Sequence, residues 1–416
     1  MSKSGPEICM YFQVHQPFRL GRYSCFEVGL NEDYFDSNGN RELLRRIAQK
    51  SYIPTIRRLR VLLESLGERF AFGLSFSGTV LEQLREYAPE ALLEFQNLVK
   101  SPRVEILAET YHHSLSSLYS AENFQREVER HTALIQELFN RSPKVFRNTE
   151  LIYSDVIGSN IYEMGFKGAL IEERAGQQEG KTVFHHPDVP LLLLMRNRNL
   201  SDEIAFRFPL LRELSCEKKI GKFLNQVAAS WSGREPLGIF IDFETFGEHH
   251  WEETGIFDFL EMMPEVFISE FQGRFLLPSE VFLRHVPDTP LSVNHAYSWA
   301  DTERDLSAWI GNSMQKKAVS EAYELLNSLV DVSESSEEIL GRIKLNLSYL
   351  LTSDHFYYMS TKKAGDGAVH SYFSPYESPY DAFIRYMNVL RDVTGRVERY
   401  RFNRSMHQPT NAVHPV

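Results

Sequence analysis

Cysteine is scarce in this chain. Cys9, Cys25 and Cys216 are the three in 416 residues. An odd number at wide spacing gives neither a disulfide framework nor a cysteine-based metal site. Cys9, inside the apolar run Ile8-Cys-Met-Tyr-Phe12, reads as a buried thiol. No stretch approaches the roughly 18 apolar residues that a membrane-spanning helix needs. Basic charge is also short, with 45 Lys and Arg against 56 Asp and Glu and a net charge of −11. That removes the basic footprint of nucleic-acid binding and disfavours anionic membranes, so a neutral partner is expected. No Gly-x-Gly-x-x-Gly or Walker loop occurs, which argues against a nucleotide-binding sheet. There are no internal repeats. The opening Met1-Ser-Lys-Ser-Gly-Pro-Glu7 is too short and too polar for a signal peptide, so the cytoplasm is the expected compartment.

What is present is ordinary globular composition, 43% apolar and 24% charged, in a chain long enough for two domains. Strand-like runs alternate with helix-period segments through about residue 290. The strands read as Ile8–Val14, Phe70–Phe76, Val104–Ala108, the strand end Val145–Glu150, Gly168–Ile171, Val189–Met195, Glu203–Phe208 and Leu237–Phe243, with Arg274–Leu277 a final short element. Helices are predicted over Arg41–Ser65, Val80–Tyr87, Pro89–Val99, Ala121–Phe139, Ser154–Met164, Ser215–Ser230 and Ile256–Met263. Polar or acidic residues recur just after the strands, the pattern of a parallel α/β fold with its site at the carboxyl ends. About seven such units fit, which favours a closed or nearly closed barrel. Beyond residue 296 the pattern turns helical, over Asp305–Val330, Ile339–Leu351 and Pro379–Val393. The expected division is a barrel over 1–295, a helical bundle over 296–400 that completes the cleft, and a loose tail over 401–416.

The richest stretch is Ile239-Phe-Ile-Asp-Phe-Glu-Thr-Phe-Gly-Glu-His-His-Trp251. Asp242 and Glu244 are two residues apart and share a face. Two acids are costly to bury inside a strand but belong at its carboxyl end. Glycosidic cleavage needs a carboxyl that protonates the leaving oxygen and a second that attacks carbon or activates water. Glu150, after Val145-Phe-Arg-Asn-Thr149, is the candidate second acid. Arg147 and Asn148 suit a carboxylate held ionised; a solvated helix-capping glutamate is the plain alternative. His15 and Gln16, in His15-Gln-Pro17 after the first strand, are neutral donors suited to sugar hydroxyls. Glu105 and Glu109 bracket a strand end, with one or both aimed at the cleft. His112-His113 and His249-His250 resemble metal ligands, but neighbouring histidines diverge in a strand, so neither a metal nor a cofactor is expected and His113 is a candidate sugar contact instead. Trp251 and Trp299 are candidate stacking platforms for sugar rings. Asp354 and His355, beside Phe356-Tyr-Tyr358, sit in an unusually polar and aromatic turn.

Five short regions then appear in order. They are His15-Gln-Pro17; Val104-Glu-Ile-Leu-Ala108 running on to Tyr111; Phe146-Arg-Asn-Thr-Glu150; Asp242-Phe-Glu-Thr-Phe-Gly247; and Trp299 through Asp301 and Trp309-Ile-Gly-Asn312, followed by Asp354-His355. In this the chain resembles glycoside hydrolase family 57, which acts on α-glucans. The resemblance implies a (β/α)7 barrel followed by a helical bundle, and retention of configuration through a covalent glucosyl-enzyme. It sets the nucleophile on Glu150 and the general acid/base on Asp242. It sets His15, Glu105, Glu244, Trp299 and Asp354 around the sugar. Two regions depart from the family pattern: the third usually carries a tryptophan-leucine pair before the glutamate, where this chain has Phe146-Arg-Asn-Thr149, and the fourth often has histidine or a polar residue before the aspartate, where Phe240-Ile241 stand here. The expected activity is α-amylase-like hydrolysis of a maltooligosaccharide or α-1,4-glucan. 4-α-Glucanotransfer through the same residues is the alternative. A metal-dependent deacetylase or mannosidase and a non-catalytic glucan-binding protein are rivals of other classes.

Overall fold

The computed structural model describes residues 5–174, 180–329, 338–362 and 374–407. The chain divides into two compact units, 1–16 with 38–306 and 17–37 with 307–416.

The larger unit is built on strands β1 (Glu7–Val14), β2 (Phe72–Phe76), β3 (Val104–Ile106), β4 (Val145–Arg147), β5 (Gly168–Ile171), β6 (Val183–His185), β7 (Leu192–Met195), β8 (Leu237–Asp242) and β9 (Arg274–Phe275). One sheet runs β3-β2-β1-β8, with β9 joining the start of β1; the other runs β4-β5-β7-β6. All pairings are parallel except that of the hairpin strand β6 with β7. Isolated parallel bridges join the sheets at two seams, Ala108 to Phe146 and Arg196 to Gly238. Glycine is needed at the second seam, because a Cβ on Gly238 would lie 2.4 Å from the Met195 carbonyl oxygen.

Parallel strands need crossovers, and helices supply them. The crossover helices include Gly78–Tyr87, Ala121–Phe139, Asp155–Glu163 and Cys216–Ser230. Ser77, Ser120 and Ser154 cap the first three by accepting from Val80, Asn123 and Ile157 backbone N–H groups, which satisfies donors that the first turn leaves open.

Period-two alternation sorts the inward residues into layers. The lower layers are apolar, with Cys9, Tyr11, Leu107, Val145, Leu170, Leu194 and Phe240 in one buried cluster. Above them, at the strand ends, stand Gln13, Ser75, Glu109, Arg147, Glu172, Arg196 and Asp242. Six of the seven are 2% exposed or less, with Asp242 partly open. Charge in that layer survives burial because neighbours pair, as in Arg196–Glu172 at 3.2 Å and Ser75 Oγ donating to Glu109 Oε2 at 2.8 Å.

The smaller unit contains helices Ser313–Asn327, Glu338–Leu350 and Pro379–His407, with short helices at Ser307–Ile310 and Ser353–Tyr357. Segment 17–37 packs on helix Pro379–His407 through Asp392. Its carboxylate accepts from Tyr34 Oη at 2.5 Å and from the Gly29 N–H at 2.6 Å.

Several local expectations differ from what is observed. Glu203–Phe208 is no strand; Arg198–Ala205 is helical, capped by the Asn197 side chain accepting from Leu200 N–H. The hairpin strand β6 has too short an apolar run to stand out. The helix from Ile256 passes through Pro264 to Glu270, and that from Pro379 continues past Val393 to His407. Residues 408–416 of the expected tail lie outside the described residues.

Candidate active site

Glu150 stands just past β4 in a short 3-10 turn, with φ 56° and ψ 25°; Leu151 follows at φ 51°. Two successive non-glycine residues in the left-handed region carry a steric cost that surrounding contacts must hold in place. The contacts are evident. Trp299 Nε1 donates to Glu150 Oε2 at 2.6 Å, and its backbone N–H donates to the Glu150 carbonyl at 3.2 Å. His113 Nε2 lies 3.2 Å from Oε1. Burial pushes the Glu150 carboxyl up, but His113, the Arg147 guanidinium and the Trp299 N–H outweigh it and hold the group below its ordinary value.

His113 links two acids. Its Nδ1 lies 3.9 Å from Glu109 Oε1, an ion-pair distance beyond hydrogen bonding. Burial disfavours the imidazolium, yet the two carboxylates raise its pKa to about 9. Glu109 in turn, against its own burial, is lowered to about 2 by His113 and then by Arg147. The His15 ring stacks on His113 at 4.0 Å and 19°, and its Nδ1 lies 2.7 Å from Ser77 Oγ.

Asp242 ends β8, in register with Gln13 of β1. Burial, then the Glu150 charge, raise its pKa to about 6. Two carboxyls that feel each other therefore carry opposite bias, one held ionised and one holding its proton near neutrality. Glu244 is buried and accepts from Tyr52 Oη at 2.5 Å and from Gln16 Nε2 at 3.3 Å. Burial and Asp242 raise it to about 8. Tyr52 reaches it from a π-helical turn, Ala48–Tyr52, a distortion that often marks functional positions. The chain leaves this region at Gly247, φ 98°, where a Cβ would meet the Lys50 carbonyl oxygen at 2.0 Å.

The structure thus gathers His15, Gln16, His113, Glu150, Asp242, Glu244 and Trp299. Glu105 faces elsewhere. It sits four residues before Glu109 in a lower layer and accepts from the Ser279 N–H at 2.8 Å. Its carboxyl is raised to about 7 by burial despite that bond. Trp251 is 57% exposed, with the Lys50 ammonium 5.4 Å from its ring centroid. It borders a surface cleft with Gln49, Pro54, Arg57 and Phe257. Asp354 and His355 belong to the smaller unit, on helix Ser353–Tyr357, where the His355 ring lies 5.9 Å from that of Tyr386. Burial lowers His249 to about 3. Among the described residues no group of three or more His, Cys, Asp or Glu is arranged to hold a metal ion.

Arg196 and Glu172 escaped the reading of the sequence. Their signal was available: each stands directly after an apolar strand, one step beyond the strand-ending positions that Arg147 and Asp242 occupy.

A parallel α/β core that presents oppositely biased carboxylates at its strand ends is the layout of a carbohydrate-active enzyme. A model of glycosyl hydrolase family 57 matches residues 9–294, and the chain belongs to that family. A protein of Methanocaldococcus jannaschii named "Putative alpha-amylase" is 38% identical over 403 residues, covering 92% of this chain and 83% of that one. Among solved structures, the family 57 branching enzyme of Pyrococcus horikoshii superposes with a TM-score of 0.71 at 14% identity, covering 98% of this chain and 92% of its own. The alpha-amylase AmyC of Thermotoga maritima gives a TM-score of 0.62 at 12% identity and 97% of both chains. At such identities these two likenesses establish the shared fold. Among the described residues no helix is long and apolar enough to cross a membrane.

Proposed function

We propose that this protein is a retaining α-glucan hydrolase working by double displacement, with Glu150 as nucleophile and Asp242 as general acid/base. The carrying observation is the opposed bias of the pair, with Glu150 held low and Asp242 raised to about 6. In the first step Glu150 attacks the anomeric carbon while Asp242 gives its proton to the leaving oxygen. In the second, water attacks that carbon, its proton passes to Asp242, and the bond to Glu150 breaks. His15, Gln16 and Glu244 are positioned to contact sugar hydroxyls. Trp251, Asp354 and His355 are further proposed sugar contacts, each within its own unit. The two seam bridges support a ring of seven parallel strands as the frame.

The name of the 38%-identical relative supports an amylase. Transfer to another glucan differs only in whether water or a sugar hydroxyl takes the second step. Maltoheptaose decides it. Steady release of reducing ends establishes hydrolysis, whereas products longer than the substrate establish transfer. Glu150→Gln must abolish turnover while keeping maltooligosaccharide binding by calorimetry; retained turnover rejects the assignment.

A further inference from the structure

Two residues outside the reacting pair are coupled to it. Trp299 holds Glu150 twice, through its indole Nε1 at 2.6 Å and its backbone N–H at 3.2 Å. Its own loop is fixed by the reciprocal backbone bonds of Tyr297 with Tyr153, at 3.0 and 3.1 Å. Two guanidinium groups lie over the indole, Arg147 at 5.0 Å and Arg196 at 5.6 Å from the ring centroid. A cation over an aromatic face attracts π density and restrains the ring. It also draws electrons from the N–H, which makes that group a stronger donor.

Arg196 is itself pinned on three elements. Its Nε donates to the Phe240 carbonyl at 2.9 Å, two residues before Asp242 on β8. Nη1 donates to Glu172 Oε2 at 3.2 Å and Nη2 to Asp202 Oδ1 at 2.6 Å. Asp202 Oδ2 accepts from Arg304, in the same loop as Trp299, at 3.2 Å. Arg196 is 2% exposed. A buried guanidinium with acceptors on both edges of its fork has little freedom to move.

We propose that Arg196 is a positioning residue, which steadies the Trp299 indole that holds Glu150 and, through the Phe240 carbonyl, anchors the strand end that presents Asp242. This rests on Glu150 and Asp242 being the reacting pair. The Trp299 N–H acts most strongly on an ionised carboxylate. Its bond weakens when Glu150 becomes an ester and strengthens again as the electron pair of the breaking C–O bond returns to Glu150. The donor therefore favours the second step, in which water bonds to the anomeric carbon and gives its proton to Asp242.

The test uses Trp299→Phe, Arg196→Met, their double variant, Arg196→Lys and Glu150→Gln, with kcat and KM measured on maltoheptaose and on an aryl maltooligoside. Losing a hydrogen bond to a charged group should lower kcat of Trp299→Phe on the aryl maltooligoside, whose first step is fast, about 10- to 100-fold, and because a slowed second step leaves the glucosyl-enzyme to accumulate, KM should fall with it and kcat/KM stay within about threefold. Arg196→Met should cost at least about fivefold less in the Trp299→Phe background than in the parent, and Arg196→Lys should recover part of its loss. If Arg196→Met does not fold, the kcat and KM of Trp299→Phe and of Arg196→Lys decide. Trp299→Phe raising KM with kcat unchanged makes Trp299 a sugar platform and overturns the proposal, as do additive losses or an Arg196→Lys variant with parental kcat. Retained turnover in Glu150→Gln rejects the reacting pair and this inference with it. Dead Glu150→Gln with additive losses rejects Arg196 alone.

Discussion

Replacing His113 by glutamine removes a buried positive charge and keeps a side-chain N–H donor. His113 lies 3.2 Å from Glu150 and 3.9 Å from Glu109. At about 4 Å and an effective dielectric of about 20, two unit charges interact by roughly 4 kcal/mol. The Glu150 side chain is 22% exposed, and Arg147 and Trp299 remain, so about 1–2 kcal/mol of lost carboxylate stabilisation is a reasonable share. With Glu150 as the proposed nucleophile, the acid limb of kcat/KM should follow its ionisation in the free enzyme and move up by about one pH unit. Stability gives a second readout. His113 rises from 6.5 to about 9 on folding, so its contribution, roughly 3 kcal/mol, is fully present below pH 6.5 and lost as pH rises through about 9. The depressed Glu109 reports the same pairing and is not added to it. Urea titrations at pH 6 and pH 9.5 should show the gap between parent and His113→Gln closing at the higher pH. An unmoved acid limb, or a gap that stays constant, would refute a charged His113 between the two acids.

Asp242→Asn should cut turnover of maltoheptaose by about 10²-fold or more yet be milder on aryl glycosides, whose leaving groups need little protonation; equal losses in steady-state kinetics contradict the acid role. If Asp242 is the proposed general acid it must carry its proton, and with its pKa raised to about 6 the basic limb of the parent profile should fall near pH 6; a limb above pH 8 counts against that role. Glu105→Gln should leave kcat/KM within about threefold, since that carboxylate accepts from Ser279 rather than facing Glu150; a loss above about 30-fold would place it in the cleft after all. Asp392→Ala leaves Tyr34 Oη and the Gly29 N–H without their acceptor and should destabilise the smaller unit by about 2–3 kcal/mol in chemical denaturation; a change under about 0.5 kcal/mol would show the bonds to be replaceable.

Much of this molecule was legible before any fold was known. Apolar runs that give way to His15, Glu150 and Asp242 mark strand ends, because there charge and apolar packing coexist at acceptable cost. The cap at Ser120 and the left-handed Asn140 after Phe139 bound their helix within a residue of its expected limits. Alternation even pairs Asp242 with Glu244 as neighbours, although the short 3-10 turn Phe243–Thr245, and not a continued strand, carries Glu244. Other features were invisible for a physical reason: they depend on partners far away in the chain. Nothing near Glu105 says that its acceptor role is taken by the Ser279 N–H, 174 residues on. Nothing near Glu150 says that its second donor is Trp299, 149 residues on. Local pattern decides which residues meet a strand end or a helix face, because that follows from backbone period. Which charge faces which, and so which acid keeps its proton, is a matter of distance and burial, and only the tertiary structure sets those.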